Sequence, residues 1–403
     1  MKRRNLLLLM TVLILCSGCS AGYDESTAEP GEAVEGSPGN AQEQKKDGTA
    51  EETEALAEGY RDLYEEAEED GRKDSLELKQ AVVDYLGGEG YAASDRDDQI
   101  NMANYQQAEE FCRKAQKKEA ADLTLFSVLD EGKLIRYDME TRDGRINVVL
   151  NSLQWKDGVP QVFYTHEFEA HTWEYTDKGY LFVEEYQPAG YDGPPGRIGF
   201  RITPLDQRCR ELNRKYVLPV GYTRNNLLIT DWNEADYGGL DIYDLYEILY
   251  RMKYGKEVPY ETYEGAEYEI PGGEFEEVLQ TYFQIDSRTI REKAVYHPDS
   301  GTYRYRPRGL HDAELPYGPY PEVTAWEELD DGTVRLTVEA VWERKGLDCA
   351  VQSELVVRPL ENGGFQYVSN HVSGWDEDLE FVWYSPRLTD EEWDTWYGEH
   401  AGS

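Results

Sequence analysis

The chain has 403 residues, enough for two ordinary domains with cores of their own, and a formal net charge of −40 from 81 acidic and 41 basic side chains. A surface that negative repels nucleic acid and anionic lipid head groups, so neither is an expected partner, and the surplus acid reads as a solubilising surface. The five cysteines (Cys16, Cys19, Cys112, Cys209 and Cys349) follow no zinc-ligand spacing, and no metal or cofactor is expected.

The chain begins MKRRNLLLLMTVLILCSGC, with a cationic start at Lys2, Arg3 and Arg4 and an apolar run from Leu6 to Leu15 too short for an ordinary membrane-spanning helix. Ser17-Gly18-Cys19 follows, and the whole stretch resembles a bacterial prolipoprotein signal, with Cys16 standing where the usual pattern has Leu. The resemblance implies a signal peptide over residues 1–18 and a Cys19 thiol carrying diacylglycerol, with further acyl chains such as palmitate. It places the mature chain on the extracytoplasmic face of the cell membrane, in contact with the bilayer through its lipid anchor only. Loss of Lys2, Arg3 and Arg4 takes the net charge to −43. Residues 19–58 carry acids, Gly, Pro, Ser and Ala with a single aromatic, Tyr23, and read as a disordered acidic tether reaching roughly 30–40 Å.

Helical spacing follows, first along Leu56, Tyr60, Leu63 and Tyr64, then from a capping box at Asp74 and Glu77 to Gly87-Gly88, then along Met102, Tyr105, Phe111 and Cys112. The alternating runs 122–129, 133–139 and 145–155, with glycine turns between them, predict a meander that continues through 161–168 and 180–187. Two more helices are expected, one from Thr203-Pro204 and one over about 241–254 capped by Asp241. The stretch 256–273 has linker composition, which divides the chain into modules at 59–255 and 274–403. The second module repeats the plan, with helices at 275–295, strands near 302–306, 323–329, 333–343, 348–358 and 364–372, and a closing helix capped by Thr389 that buries Trp393 and Trp396. Helices followed by an antiparallel meander, twice over, predict an α+β fold. That order resembles the cystatin-like and nuclear-transport-factor-like cone, in which a curved sheet wraps a helix. The stretches 331–342 and 358–372 also resemble a domain of uncharacterised lipoproteins of clostridial-type bacteria, a likeness that implies no activity.

The motif HEFEAH (His166 to His171) fails as a zinc-protease signature, because its histidines are five residues apart and the segment alternates as a strand. DWNEADYGGLD (231–241) places Asp231 and Asn233 at the first two ligand positions of a calcium loop, but Ala235 at the fifth, Asp236 where Gly belongs and Ile242 at the twelfth make it read as an acidic helix-capping loop. No nucleophile elbow or phosphate loop occurs, and among 81 acids no carboxylate pair is singled out for hydrolysis, so catalytic residues are unknown. The exception to an acidic surface is TYRYRPRGLHDAELPYGPYPEV (302–323), a basic aromatic stretch. Arg304, Arg306, Tyr317 and Tyr320 are its candidate ligand-binding residues, since Arg with Tyr is interface hot-spot chemistry for an envelope glycan or a protein surface. The expected function is a non-catalytic, lipid-anchored binding module; the alternative is an envelope hydrolase acting on glycan or peptide.

Overall fold

The computed structural model describes residues 38–398 except 192, 194, 314, 315, 376–378 and 380–382. Residues 1–18, expected to be a signal peptide, and Cys19 lie outside the described residues. The acidic stretch does not stay coil up to residue 58, because helix α1 runs from Pro38 to Gly59. Its C-terminal turns are tied down from a distance: Glu52 meets Arg136 at 2.8 Å, Glu54 accepts the Val162 amide at 2.8 Å, and Thr53 and Ala57 are buried. Low apolar content argued for disorder, but here cations and a strand amide on the sheet receive the acids.

Helices α2 (Arg61–Glu69) and α3 (Leu76–Gly88) follow, and α3 is capped by Ser75, whose hydroxyl accepts from the Leu78 amide, with Glu77 inside the first turn. Strand β1 (Ala92–Asp95) and helix α4 (Tyr105–Gln116) lead into the meander. It comprises β2 (Ala121–Val128), β3 (Leu134–Arg142), β4 (Arg145–Lys156), β5 (Val159–Tyr175), β6 (Tyr180–Glu185) and β7 (Arg197–Arg201). Asp143-Gly144 and Asp157-Gly158 have positive φ at both residues, the geometry that lets two-residue turns match strand twist. The seven strands lie in chain order; only β1–β2 is parallel. Alternation gives the sheet two apolar faces. Leu123, Leu125, Tyr137 and Val148 pack with Phe111 and Cys112 of α4, whereas Phe126, Val128 and Leu134 pack with Tyr60, Val82 and Leu86 of the first helices. Strand β5 pairs with β4 up to Glu169 and with β6 from Ala170 onward, bending at bulges.

The second part contains α5 (Gln207–Leu212), which runs into a π-helical turn at Asn213–Val217, then β8 (Trp232–Asn233) and α6 (Ile242–Tyr254). Next come β9 (Tyr268–Pro271), α7 (Gly272–Tyr282), α8 (Ser287–Lys293), β10 (Tyr296–His297) and β11 (Thr302–Tyr305). The chain continues with β12 (Tyr320–Glu328), β13 (Val334–Val341), β14 (Val351–Pro359), β15 (Phe365–Trp375) and α9 (Asp390–Tyr397). Strands β12 to β15 form an antiparallel sheet that β8 extends beside β15, and β9, β10 and β11 form a small sheet of their own.

The architecture is α+β, with a curled, mostly antiparallel first sheet, but the packing does not divide at 256–273. One apolar core includes Cys209, Tyr216, Leu245, Phe275, Leu336 and Tyr367, so α5 and α6 belong with the second sheet. Within the supposed linker, Tyr268 to Pro271 form β9, and Tyr260 and Tyr268 pack against that core. Tyrosines gave this segment a buried surface that its Gly, Pro and Glu content concealed. Packing changes hands instead between β7 and α5, and residues 46–403 form one compact unit. Cys112, Cys209 and Cys349 are free thiols, and among the described residues no helix is long and apolar enough to cross a membrane.

Candidate ligand-binding site

The alternation TYRYR is a strand's alternation. In β11, Tyr303 and Tyr305 point into the core, 0 % and 1 % exposed, with their hydroxyls donating to Glu276 (2.7 Å) and Glu247 (2.9 Å). The period of two then turns Arg304 and Arg306 to the other side. Past Pro307, Arg308 turns inward and forks onto Asp244 of α6 at 2.8 and 2.6 Å. Asp244 is wholly buried and also accepts from Arg387 Nε at 2.7 Å. Arg387 donates further to Glu247 and, at 2.6 Å, to the Arg306 carbonyl. Burial opposes the charge on Arg387, but Asp244 and Glu247 outweigh it and hold the guanidinium protonated well above its ordinary range. This sealed cluster is the floor of the site.

Above it lies a cavity of about 130 Å³ lined by Arg304, Arg306 and Arg387, by the carboxylates of Asp241 and Asp312, and by the rings of Tyr243, Trp393 and Tyr397. Helix α9 forms one wall. Thr389 caps it through a reciprocal box with Glu392, as its sequence predicted, yet none of its residues is buried, and Trp396 is half exposed rather than inside the core. Its Asp390 carboxylate reaches both Arg304 and Arg306, while Trp393 lies under the Arg306 guanidinium at 3.9 Å. Trp396 stacks on His311 at 3.8 Å. Glycine at 265 is favoured by its positive φ, and a Cβ at 265 or 309 would also crowd the Tyr397 side chain, at 3.2 and 2.8 Å. Burial raises Asp241 above the ordinary carboxylate range, with Asp244 nearby adding to it, and desolvation and Glu264 push the Tyr397 phenol up to about 12.

Two of the four residues singled out from the sequence therefore meet at a cavity, and two do not. Tyr317 sits at positive φ in the loop, half exposed, and its carbonyl accepts from Trp342 Nε1 at 2.8 Å. Tyr320 opens β12 and packs near Tyr180, Phe182 and Val341. The turn at Tyr317 carries the chain away from the arginines, which a linear reading of a basic aromatic stretch cannot register. Trp393 and Tyr397 were missed because α9 read as a core-closing helix, whose dense acids and aromatics were the available signal; Arg387, in the coil before it, carried none.

A second charged cluster joins the two sheets. Glu322 of β12 is 1 % exposed and meets Arg201 of β7 at 2.9 Å and Arg210 of α5 at 3.6 Å. Arg210 also reaches Asp98 at 3.2 Å, which accepts from Tyr180 at 3.1 Å. Burial, reinforced by Asp98, pushes the Glu322 carboxyl up to about 8 despite the two arginines. The cleft beside it holds only about 10 Å³, which leaves no room for a ligand.

The histidines of HEFEAH lie in β5 with separate partners: His166 meets Glu185 at 2.8 Å, and His171 packs edge-on to Tyr186. In the 231–241 loop, Asn233, Asp236 and Asp241 all accept backbone amides, the last at the start of α6. No group of three or more potential metal ligands occurs among the described residues. No curated protein and no solved structure matches the chain. The pattern of a family of unknown function (DUF6070) matches residues 46–387, and the chain belongs to that family.

Proposed function

We propose that this chain is a lipid-anchored binding protein of the extracytoplasmic membrane face, and that it holds an anionic envelope ligand at Arg304 and Arg306. The observation that carries the reading is the convergence of these two guanidiniums and the Trp393 ring on an open cavity, in a protein whose charge otherwise repels anions. Binding is favoured over hydrolysis because the carboxylates at the cavity already have partners. Asp241 caps α6, Asp312 accepts the Gly309 amide at 2.7 Å, and Asp390 holds the arginines. The prolipoprotein-like start at residues 1–19 supports the anchor. We also infer that the first sheet with α4 and the second sheet with its helices are two versions of a cone-like α+β plan, the bend in β5 supporting this for the first. The test is fractionation of cells producing the full chain. Wild type is expected with the membrane and Cys19→Ala in the soluble fraction or as uncut precursor; soluble wild type would refute the anchor.

A further inference from the structure

We propose that the Arg304–Arg306 cavity is a subsite for a sugar acid, a pyranose ring bearing one carboxylate, and that Asp390 occupies the place of the ligand's carboxylate when the site is empty. The inference rests on the binding reading above and specifies its ligand. Both arginines reach one carboxylate group, that of Asp390, whose side chain is 63 % exposed and sits on a helix with no buried residue, while the Arg306 Nε also holds Glu267 at 2.8 Å. The family match ends at Arg387, before the helix that carries this internal anion. An incoming carboxylate offers the same planar acceptor, and Asp390 needs only to rotate into water.

The remaining walls narrow the chemistry. A cavity of about 130 Å³, smaller than the roughly 150 Å³ that encloses benzene, is open to solvent and takes in part of a single six-membered ring, the remainder of the ligand lying in water. Trp393 and Tyr397 line the cavity with aromatic surface of the kind on which the C–H face of a sugar packs, one face of Trp393 being already covered by the Arg306 guanidinium. Asp241 and Asp312, which already accept backbone amides, place negative charge in the wall that opposes a second negative charge on the ligand. A phosphate is thereby disfavoured, and a neutral sugar lacks the group that the arginines select. The sugar acid can arrive free or as one residue of an acidic polysaccharide.

The test is calorimetric titration of the folded mature chain with D-galacturonate and with a short oligogalacturonate, against D-galactose and inorganic phosphate. Binding of a galacturonate probe at least about ten-fold tighter than galactose or phosphate is expected, with loss of about ten-fold or more in Arg306→Ala and a several-fold gain in Asp390→Asn. Arg306→Lys, which keeps the charge but not the fork, is expected to fall between wild type and Arg306→Ala, and matching melting curves exclude a folding defect. Preference for the monomer assigns a free ligand, and preference for the oligomer assigns a polysaccharide. Phosphate binding that equals or exceeds galacturonate binding and depends on Arg306 would overturn the sugar-acid assignment while leaving an anion site standing. Galacturonate binding unchanged by Asp390→Asn would overturn the role of Asp390 alone. Failure of both galacturonate probes to bind wild type and Asp390→Asn overturns the inference, and failure of phosphate as well removes the anion site with it.

Discussion

Two sets of arginines meet carboxylates in this molecule, and enclosure separates their roles. At the seam between the sheets, Arg201, Arg210, Asp98 and Glu322 face one another with almost no space left over. At the cavity, Arg304 and Arg306 share the exposed Asp390 carboxylate on a lightly held helix, Arg306 also meets the exposed Glu267, and the two still border open volume. Charges sealed together hold the fold in register, because stranding one of them is costly; charges beside open volume are available to something else. Even along β11 and its extension the contrast holds, since Arg304 and Arg306 stay at the cavity while Arg308, two residues on, is locked to Asp244.

The comparison breaks most visibly at the seam. Arg210→Ala leaves Glu322 and Asp98 with one fewer cation in a buried setting, and a loss of about 3–5 kcal/mol in urea unfolding is expected. A loss below about 1 kcal/mol would show that the seam behaves like surface charge.

A pH series sharpens the same contrast. Glu322 keeps its proton to higher pH in the folded chain than in the unfolded one, so the stability it contributes is complete below about 4.5 and is lost as pH climbs toward about 8. Burial also raises Asp95, to about 6, which adds a loss of the same sign. Unfolding midpoints of Glu322→Gln are expected to fall less steeply than wild type between pH 5 and 8, and parallel curves would remove Glu322 as the source.

The smallest stability effect is expected at the cavity. Replacing Arg304 and Arg306 together by Ala changes stability by about 1 kcal/mol or less, since both their carboxylate partners, Asp390 and Glu267, are exposed. A fall of several kcal/mol would make the pair part of the fold's frame and undo the distinction.

Much of the fold was legible wherever periodicity and local turn chemistry acted alone. The meander β2 to β4 and strands β12 to β15 follow from alternation, and α6 follows from Asp241 and Gly255 at its ends. What was not legible depends on partners distant in sequence. α1 lies on Arg136, and β9 completes a small sheet with β11. The site divides in the same way, because outward arginines on a strand could be read from TYRYR, whereas the approach of α9 across the surface could not.

The topology also bears on how the chain reaches its folded state. The first sheet pairs each strand with the next in sequence, so it can close progressively as the chain emerges from its N-terminal end. The second sheet cannot finish that way. Its β8 edge pairs with β15, and the Asn370 side chain bonds the Thr230 carbonyl across 140 residues. Arg387, which closes the floor beneath the cavity, arrives later still. As the chain folds, the first half is therefore built while the second waits for its last strand, and the interval between them is when this chain most needs protection from aggregation.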